Sequence, residues 1–385
     1  MKIKQKIREI LIDLYVSVCR AFCGMKNRAV FVSFAGTSYS DNPKPLSEKL
    51  HEISPDTEIV WLFKNPAEKR DVVPEYVKCV AINDKFEVMK LMATSRCIVN
   101  NCALTGFKKS KKQFLVQLWH GDRSFKKILY DSSFIDDEFF LMESVNGFCN
   151  LAVSGSDYGD MQYRSAFKYN GEILTVGTPR DDVLLNYTED MVDSIKKSLG
   201  IAADKKIVLY APTLRRKNAS DRTLQTKQEI DFERTLKKLE ELSSDNWVLL
   251  VRAHPSVSGI GGFEENENIK EVSWYEDMAD LLLVSDLLIT DYSSSAGDYA
   301  LLKRPIVLFQ SDYNEYVEKD RGFYFEMETS PYFIVKNQEE LEYVLSNMTP
   351  EVVEKNCEEI LKFYGTNETG KSSEAVAKRI VEWMK

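Results

Sequence analysis

Short apolar runs rich in β-branched and aromatic residues alternate with helical stretches, and this alternation constrains the fold more than any other feature. Residues 29–35, 58–63, 96–100, 114–118, 151–154 and 173–176 read as strands, with a helix at 45–53 between the first two. The pattern resumes at 206–210, 247–252, 287–290 and 305–309, with a helix at 230–242. A run that is apolar throughout is buried on both faces of a sheet, and strands alternating with helices build parallel sheets from βαβ units. The expected class is α/β, with two doubly wound domains facing a cleft. A chain of 385 residues has room for both. We expect a basic amphipathic helix over 1–28, a first domain over 29–176, a second over 177–349, and helices over 350–385 packing back on the first.

Charge and cysteine usage narrow the function classes. A net charge of −9 argues against a general nucleic-acid binder. Seven cysteines, an odd number without zinc or redox spacing, read as reduced thiols. No run approaches the ~20 apolar residues that span a bilayer. Asp13 and Arg20 interrupt the first apolar stretch, which argues against a secretory signal. The first 28 residues nevertheless carry seven basic side chains against two acidic ones, and Ile3, Ile7, Ile10, Leu14 and Val18 recur at helical spacing. Such a helix suits an anionic membrane surface, or else its stripe packs on the protein's own core.

The polar residues that carry chemistry lie at predicted strand ends, where open α/β folds bind ligands. Two of the three histidines do so: His120 in Gln117-Leu118-Trp119-His120-Gly121 and His254 in Arg252-Ala253-His254-Pro255. An imidazole changes protonation near neutral pH, so a histidine there can take a proton from an attacking hydroxyl or hold a phosphate oxygen. Thr290-Asp291-Tyr292-Ser293-Ser294-Ser295 ends a strand and opens a helix. Backbone N–H groups at a helix start, joined by serine hydroxyls, form an anion site, whereas simple capping needs one serine. Thr213 and Arg215 follow another strand and could grip phosphate. Lys108, Lys109, Lys111 and Lys112 precede the His120 strand, and Arg123, Lys126 and Lys127 follow it. No dinucleotide GxGxxG loop and no Asp-x-Asp pair at a strand end is present, so neither a metal nor a cofactor is expected.

Together these segments, with Val176-Gly177-Thr178-Pro179-Arg180, Tyr39-Ser40-Asp41-Asn42-Pro43 and Asp298-Tyr299-Ala300-Leu301-Leu302, resemble the CDP-glycerol glycerophosphotransferase family of teichoic-acid primases and polymerases. The resemblance runs from about residue 31 to 309 and implies a GT-B fold of two Rossmann-like domains. It implies transfer of glycerol phosphate or ribitol phosphate from a CDP-polyol donor to an anionic polymer, capsular or teichoic-acid-like, or to its lipid-linked precursor. It makes His120 the general base and puts His254 near the donor phosphates. Gly121, Lys127, Arg180, Thr213, Arg215, Arg252, Asp291, Ser293, Ser294 and Ser295 fall on the substrate side. His120-Gly121-Asp122-Arg123 departs from the family's His-Gly-Thr-Pro. The implied location is the cytoplasmic face of the membrane, held peripherally through the N-terminal helix. A homo-oligomer is left open. The rival readings are a nucleotide-sugar glycosyltransferase of the same fold and a catalytically idle scaffold.

Overall fold

The computed structural model describes residues 2–102, 109–132, 149–213, 230–253, 263–319 and 322–385. The first sheet contains β1 (Lys26–Val32), β2 (Glu58–Phe63), β3 (Lys78–Ala81), β4 (Ser95–Asn100), β5 (Phe114–Gln117), β6 (Leu151–Ser154) and β7 (Glu172–Thr175). The second contains β8 (Lys206–Tyr210), β9 (Trp247–Val251), β10 (Ile269–Glu271), β11 (Leu287–Thr290), β12 (Ile306–Phe309) and β13 (Phe333–Val335). The strand orders are β3-β2-β1-β4-β5-β6-β7 and β10-β9-β8-β11-β12-β13. Every neighbouring pair is parallel. In each sheet the order reverses once, between β1 and β4 and between β8 and β11, and such a switch point opens a crevice beyond the strands' C-terminal ends.

The helices, in chain order, are α1 (Lys2–Cys23), α2 (Pro43–Ile53), α3 (Lys85–Thr94), α4 (Asp157–Ser165), α5 (Asp182–Asn186), α6 (Glu189–Ser198), α7 (Phe232–Ser243), α8 (Met278–Val284), α9 (Ser295–Tyr299), α10 (Tyr313–Lys319), α11 (Gln338–Asn347), α12 (Pro350–Tyr364) and α13 (Ser372–Met384). They cover the sheets and close two main cores. Phe31, Trp61 and Val99 pack under Leu46 and Leu50 of α2 in the first. Ile207, Leu209 and Leu250 pack under Leu281 of α8 in the second.

Three details correct the expectations. The first strand ends at Val32, because Phe34 and Ala35 turn into left-handed backbone at φ 43° and 53°. Strands β3, β10 and β13 escaped the sequence reading; they are edge strands of three or four residues and partly exposed. The terminal helices divide between the two cores. Val376, Ala377 and Ile380 of α13 join the first, whereas Val353, Cys357 and Ile360 of α12 belong to the second.

Side chains from both domains meet directly. Lys44 pairs with Asp277 at 2.8 Å, Lys69 pairs with Glu276, and the Tyr39 N–H donates to Glu276 at 2.9 Å. Farther along, the Lys127 N–H donates to the Gly322 carbonyl and the Tyr324 N–H to the Phe125 carbonyl, both at 2.9 Å.

Helix α1 lies against α3. Val16 and Cys19 are buried against Ala93, and the Tyr15 hydroxyl donates to the Phe86 carbonyl. Leu11, Leu14, Val18 and Phe22 face solvent, with Phe22 at 87% exposure. Among the described residues no helix is long and apolar enough to cross a membrane.

Candidate active site

The first switch point is built around His120. Strand β5 ends at Gln117, whose side chain accepts from the Trp119 N–H at 2.9 Å and folds the chain over. Trp119 then takes a left-handed conformation at φ 49°. The chain therefore makes its sharp turn one residue before the histidine. Gly121 answers to a different constraint: a Cβ there would come within 3.1 Å of the Trp119 indole nitrogen. His120 Nδ1 lies 2.7 Å from the carbonyl oxygen of Asn101, beyond the end of β4. A carbonyl can only accept, so Nδ1 carries a proton, and in the neutral ring Nε2 holds the lone pair. The ring also meets Phe34 edge-on at 5.3 Å and tilts against Trp119 at 4.2 Å between centroids. Phe34, Ala35, Asp41 and Trp119 are four of the eight non-glycine residues with positive φ among those described. Left-handed backbone at bulky residues costs energy, and its concentration around one histidine is the signature of a site held by its surroundings.

The second switch point carries the serines. Asp291 Oδ1 accepts from the Thr213 N–H at 2.8 Å and from its neighbour Tyr292 at 2.5 Å, tying the ends of β8 and β11 together. The Ser293 and Ser295 hydroxyls lie 2.8 Å apart. Ser294, at the cap of α9, makes no side-chain capping bond. Capping therefore does not account for Ser294, whereas the Ser293 hydroxyl accepts from the Ser295 N–H at the start of the helix at 3.3 Å. Beyond β12 and β13, Asp312, Tyr313 and Lys336 border a hollow that no sequence motif marks.

The buried arginine cluster between these centres was not legible from sequence. Arg123 is fully buried; it donates to Asp181 at 2.8 Å and Asp298 at 2.5 Å, and pairs with Glu368. Its neighbour Asp122 accepts from Ser154, Gly155 and Ser156, the residues leading into α4. So the dipeptide that departs from the family motif is a structural joint. Gly297 of α9 lies against it, and a Cβ there would come 2.7 Å from the Arg123 side chain. Arg180, expected on the substrate side, is also buried. It donates to Asp298 and Asp41, both at 3.1 Å, and to the His120 carbonyl at 2.9 Å. Asp41, Asp122, Asp181, Asp298 and Glu368 thus surround two guanidiniums. Burial pushes the Asp298 carboxyl up to about 6, against the pull of Arg180 and with repulsion from Asp181 adding to it. Glu368 is raised too, chiefly by burial. Burial disfavours the charge on Arg123, but its ring of carboxylates outweighs that and holds it cationic.

The remaining expected site residues are scattered. The Arg252 guanidinium is buried and donates to the Glu276 carbonyl at 3.1 Å; burial lowers it to about 10, with Asp277 and Asp280 opposing. Lys127 is half-buried, and its neighbour Lys126 lies 5.2 Å over the Tyr316 ring. His254 and Arg215 lie outside the described residues.

Two parallel α/β domains whose switch points are joined by one guanidinium, with a histidine on one side and serines on the other, form a GT-B architecture. The comparisons with known proteins agree. The profile of the CDP-glycerol:poly(glycerophosphate) glycerophosphotransferase family matches residues 15–382, and the chain belongs to that family. It is 33% identical over 337 residues to a teichoic acid poly(glycerol phosphate) polymerase of Staphylococcus epidermidis, covering 82% of this chain and 46% of that protein. It is 34% identical over 334 residues to a teichoic acid glycerol-phosphate transferase of Staphylococcus aureus, covering 81% and 82%. The chain thus spans less than half of the first relative and most of the second. The structure of the wall teichoic acid polymerase TagF, in a histidine variant soaked with CDPG, superposes with a TM-score of 0.84 at 28% identity, covering 99% of this chain and 97% of that one.

Proposed function

We propose that this chain transfers a polyol phosphate, glycerol phosphate in the first instance, from a CDP-linked donor to a hydroxyl of a teichoic-acid-like polymer or its lipid-linked precursor. The acceptor oxygen attacks the β-phosphorus of the donor. A new P–O bond forms, the bond to the bridging pyrophosphate oxygen breaks, and CMP leaves with that electron pair. His120 Nε2 takes the hydroxyl proton, a contribution of typically ~10²–10⁴-fold in rate. Ser293, Ser294 and Ser295, with the backbone N–H groups behind them, face the developing charge on the leaving phosphate. The observation that carries this reading is the Nδ1 contact with the Asn101 carbonyl, which leaves Nε2 as the ring's proton acceptor at a strand end. Thr213 and Asp291 shape the donor side by tying its two loops together, and His254 and Arg215 are assigned to it by their motifs. Arg252, buried behind the same strand ends, acts there through its field.

The acceptor-facing first domain sits on the cytoplasmic side of the membrane. The exposed row Leu11, Leu14, Val18 and Phe22 on α1 meets the lipid interface, and the net positive charge of the first 28 residues draws it to anionic headgroups.

The test is CMP release by the purified chain with CDP-glycerol, or separately CDP-ribitol, and a lipid-linked acceptor primed with glycerol phosphate. CMP from one donor alone identifies the polyol. No CMP from either donor, with UDP-sugars consumed, replaces this reading with a glycosyltransferase.

A further inference from the structure

The loop that presents His120 is held by its backbone carbonyls. Asn42, buried between the domains, donates through Nδ2 to the Leu118 carbonyl at 3.3 Å and the Trp119 carbonyl at 2.9 Å. Its Oδ1 accepts from the Arg180 N–H at 3.0 Å. The Arg180 side chain then donates to the next carbonyl, that of His120, at 2.9 Å. Three consecutive carbonyls are thus gripped by two residues that are themselves bonded. This is where a grip is needed, because Trp119 is left-handed and a free chain would relax away from that conformation. The other arm of Arg180 reaches Asp298 on α9, in the second domain, three residues past Ser295.

We infer that Asn42 and Arg180 are positioning residues which set the orientation of the His120 ring and tie it to the register of the two domains. The inference rests on His120 as the base, and it gives Arg180 a role different from binding substrate. When Asp298 and Arg180 are engaged, the His120 carbonyl is fixed and the ring lies with Nδ1 on Asn101. When the domains part, the guanidinium leaves with Asp298 or stays with Asp41, and the loop loses its hold. The base is then correctly aimed only with the serine-lined donor side in place. Such coupling guards a reactive donor against attack before the acceptor side is assembled.

The test reads the ring directly. The chain has three histidines, so ¹⁵N-histidine labelling of the full protein gives a short spectrum, and a His120→Gln variant assigns the His120 signals. The wild type should show His120 protonated at Nδ1 alone. Asn42→Ala and Arg180→Lys, which keeps the positive charge but loses the fork, should show a mixture of the two tautomers. The same variants should lose on the order of 10- to 100-fold in kcat with CDP-glycerol, while KM for the donor stays within about twofold. A single Nδ1–H tautomer in both variants overturns the inference, whatever happens to turnover. So does an unchanged kcat, or a loss confined to donor KM, which would return Arg180 to the substrate. If Arg180→Lys does not fold, Asn42→Ala, which leaves every ion pair in place, decides the question. Failure of the base assignment is distinguishable: it would appear as turnover retained in His120→Gln, with the tautomer result untouched.

Discussion

Replacing Arg123 by methionine keeps most of the side-chain volume and removes the one charge on which Asp181, Asp298 and Glu368 converge. In the native protein these carboxylates receive three donated hydrogen bonds from a guanidinium with no solvent exposure. A buried ion pair is weak evidence of net stabilisation, since desolvation offsets most of the attraction. Removing one partner is different, because it strands the other charge without water, at a cost of roughly 3–5 kcal/mol. Asp298 keeps its bonds to Arg180, so two carboxylates, Asp181 and Glu368, are left uncompensated and the cost should fall within that range. At about 2.1 cal/mol/K per residue, 385 residues give an unfolding entropy of roughly 0.8 kcal/mol/K, so each kcal/mol moves the transition by about 1.2 °C and Tm should fall by roughly 4–6 °C. The assay is thermal unfolding followed by circular dichroism at pH 7, checked by the urea midpoint. Adding Glu368→Gln should recover part of the loss, since it removes one of the uncompensated charges, with a coupling on the order of 1–3 kcal/mol. A shift of less than about 2 °C in Arg123→Met, or strict additivity in the double variant, would refute the claim that this cluster is a charge-balanced joint.

Other consequences follow from the same structure. Asp298 has a carboxyl raised from 3.8 to about 6, so the folded state holds its proton more tightly than the unfolded one. Its contribution is fully present below about pH 4 and is lost as pH rises through 6. Asp298→Asn should therefore flatten the fall in unfolding free energy between pH 4.5 and 6.5, by up to about 1.4 kcal/mol per pH unit, and an unchanged slope would count against it. At the other end of the molecule, Leu14→Glu with Phe22→Glu should weaken co-sedimentation with vesicles containing anionic lipid at least severalfold while leaving Tm within a few degrees, because both side chains face solvent. Binding that is unchanged would move the membrane contact elsewhere. Ser294→Ala should raise KM for CDP-glycerol severalfold without a loss of stability, since its hydroxyl makes no capping bond. A large drop in Tm instead would make it a cap after all.

The central strands were legible because burial on both faces leaves an unbroken apolar run, as in Ile59 to Phe63 or Leu287 to Ile289. The edge strands were not. Lys78–Ala81 and Ile269–Glu271 are only partly buried, and three or four residues cannot establish a period. His120, Asp291 and the serines announced themselves by standing at strand ends. Asn42, Asn101 and Arg180 did not reveal how they act, because their partners lie far off in sequence: Arg180 reaches back 60 residues to the His120 carbonyl and forward 118 to Asp298. Arg123 read as one more surface cation in a basic stretch, and only the fold shows that carboxylates from three separate segments enclose it. Charge patterns in sequence report solvated faces well and buried networks poorly, since a network is assembled from single residues with no spacing between them to detect.

The central claim is that the His120 imidazole takes the acceptor's proton in a transfer that releases CMP. The most direct measurement compares wild type and His120→Ala for CMP release from CDP-glycerol with a primed acceptor, alongside calorimetric binding of CDP-glycerol to each. The expected result is a loss of ~10²–10⁴-fold in turnover with donor affinity within a few-fold of wild type. Turnover within about tenfold of wild type, with the variant folded and binding donor, would contradict it.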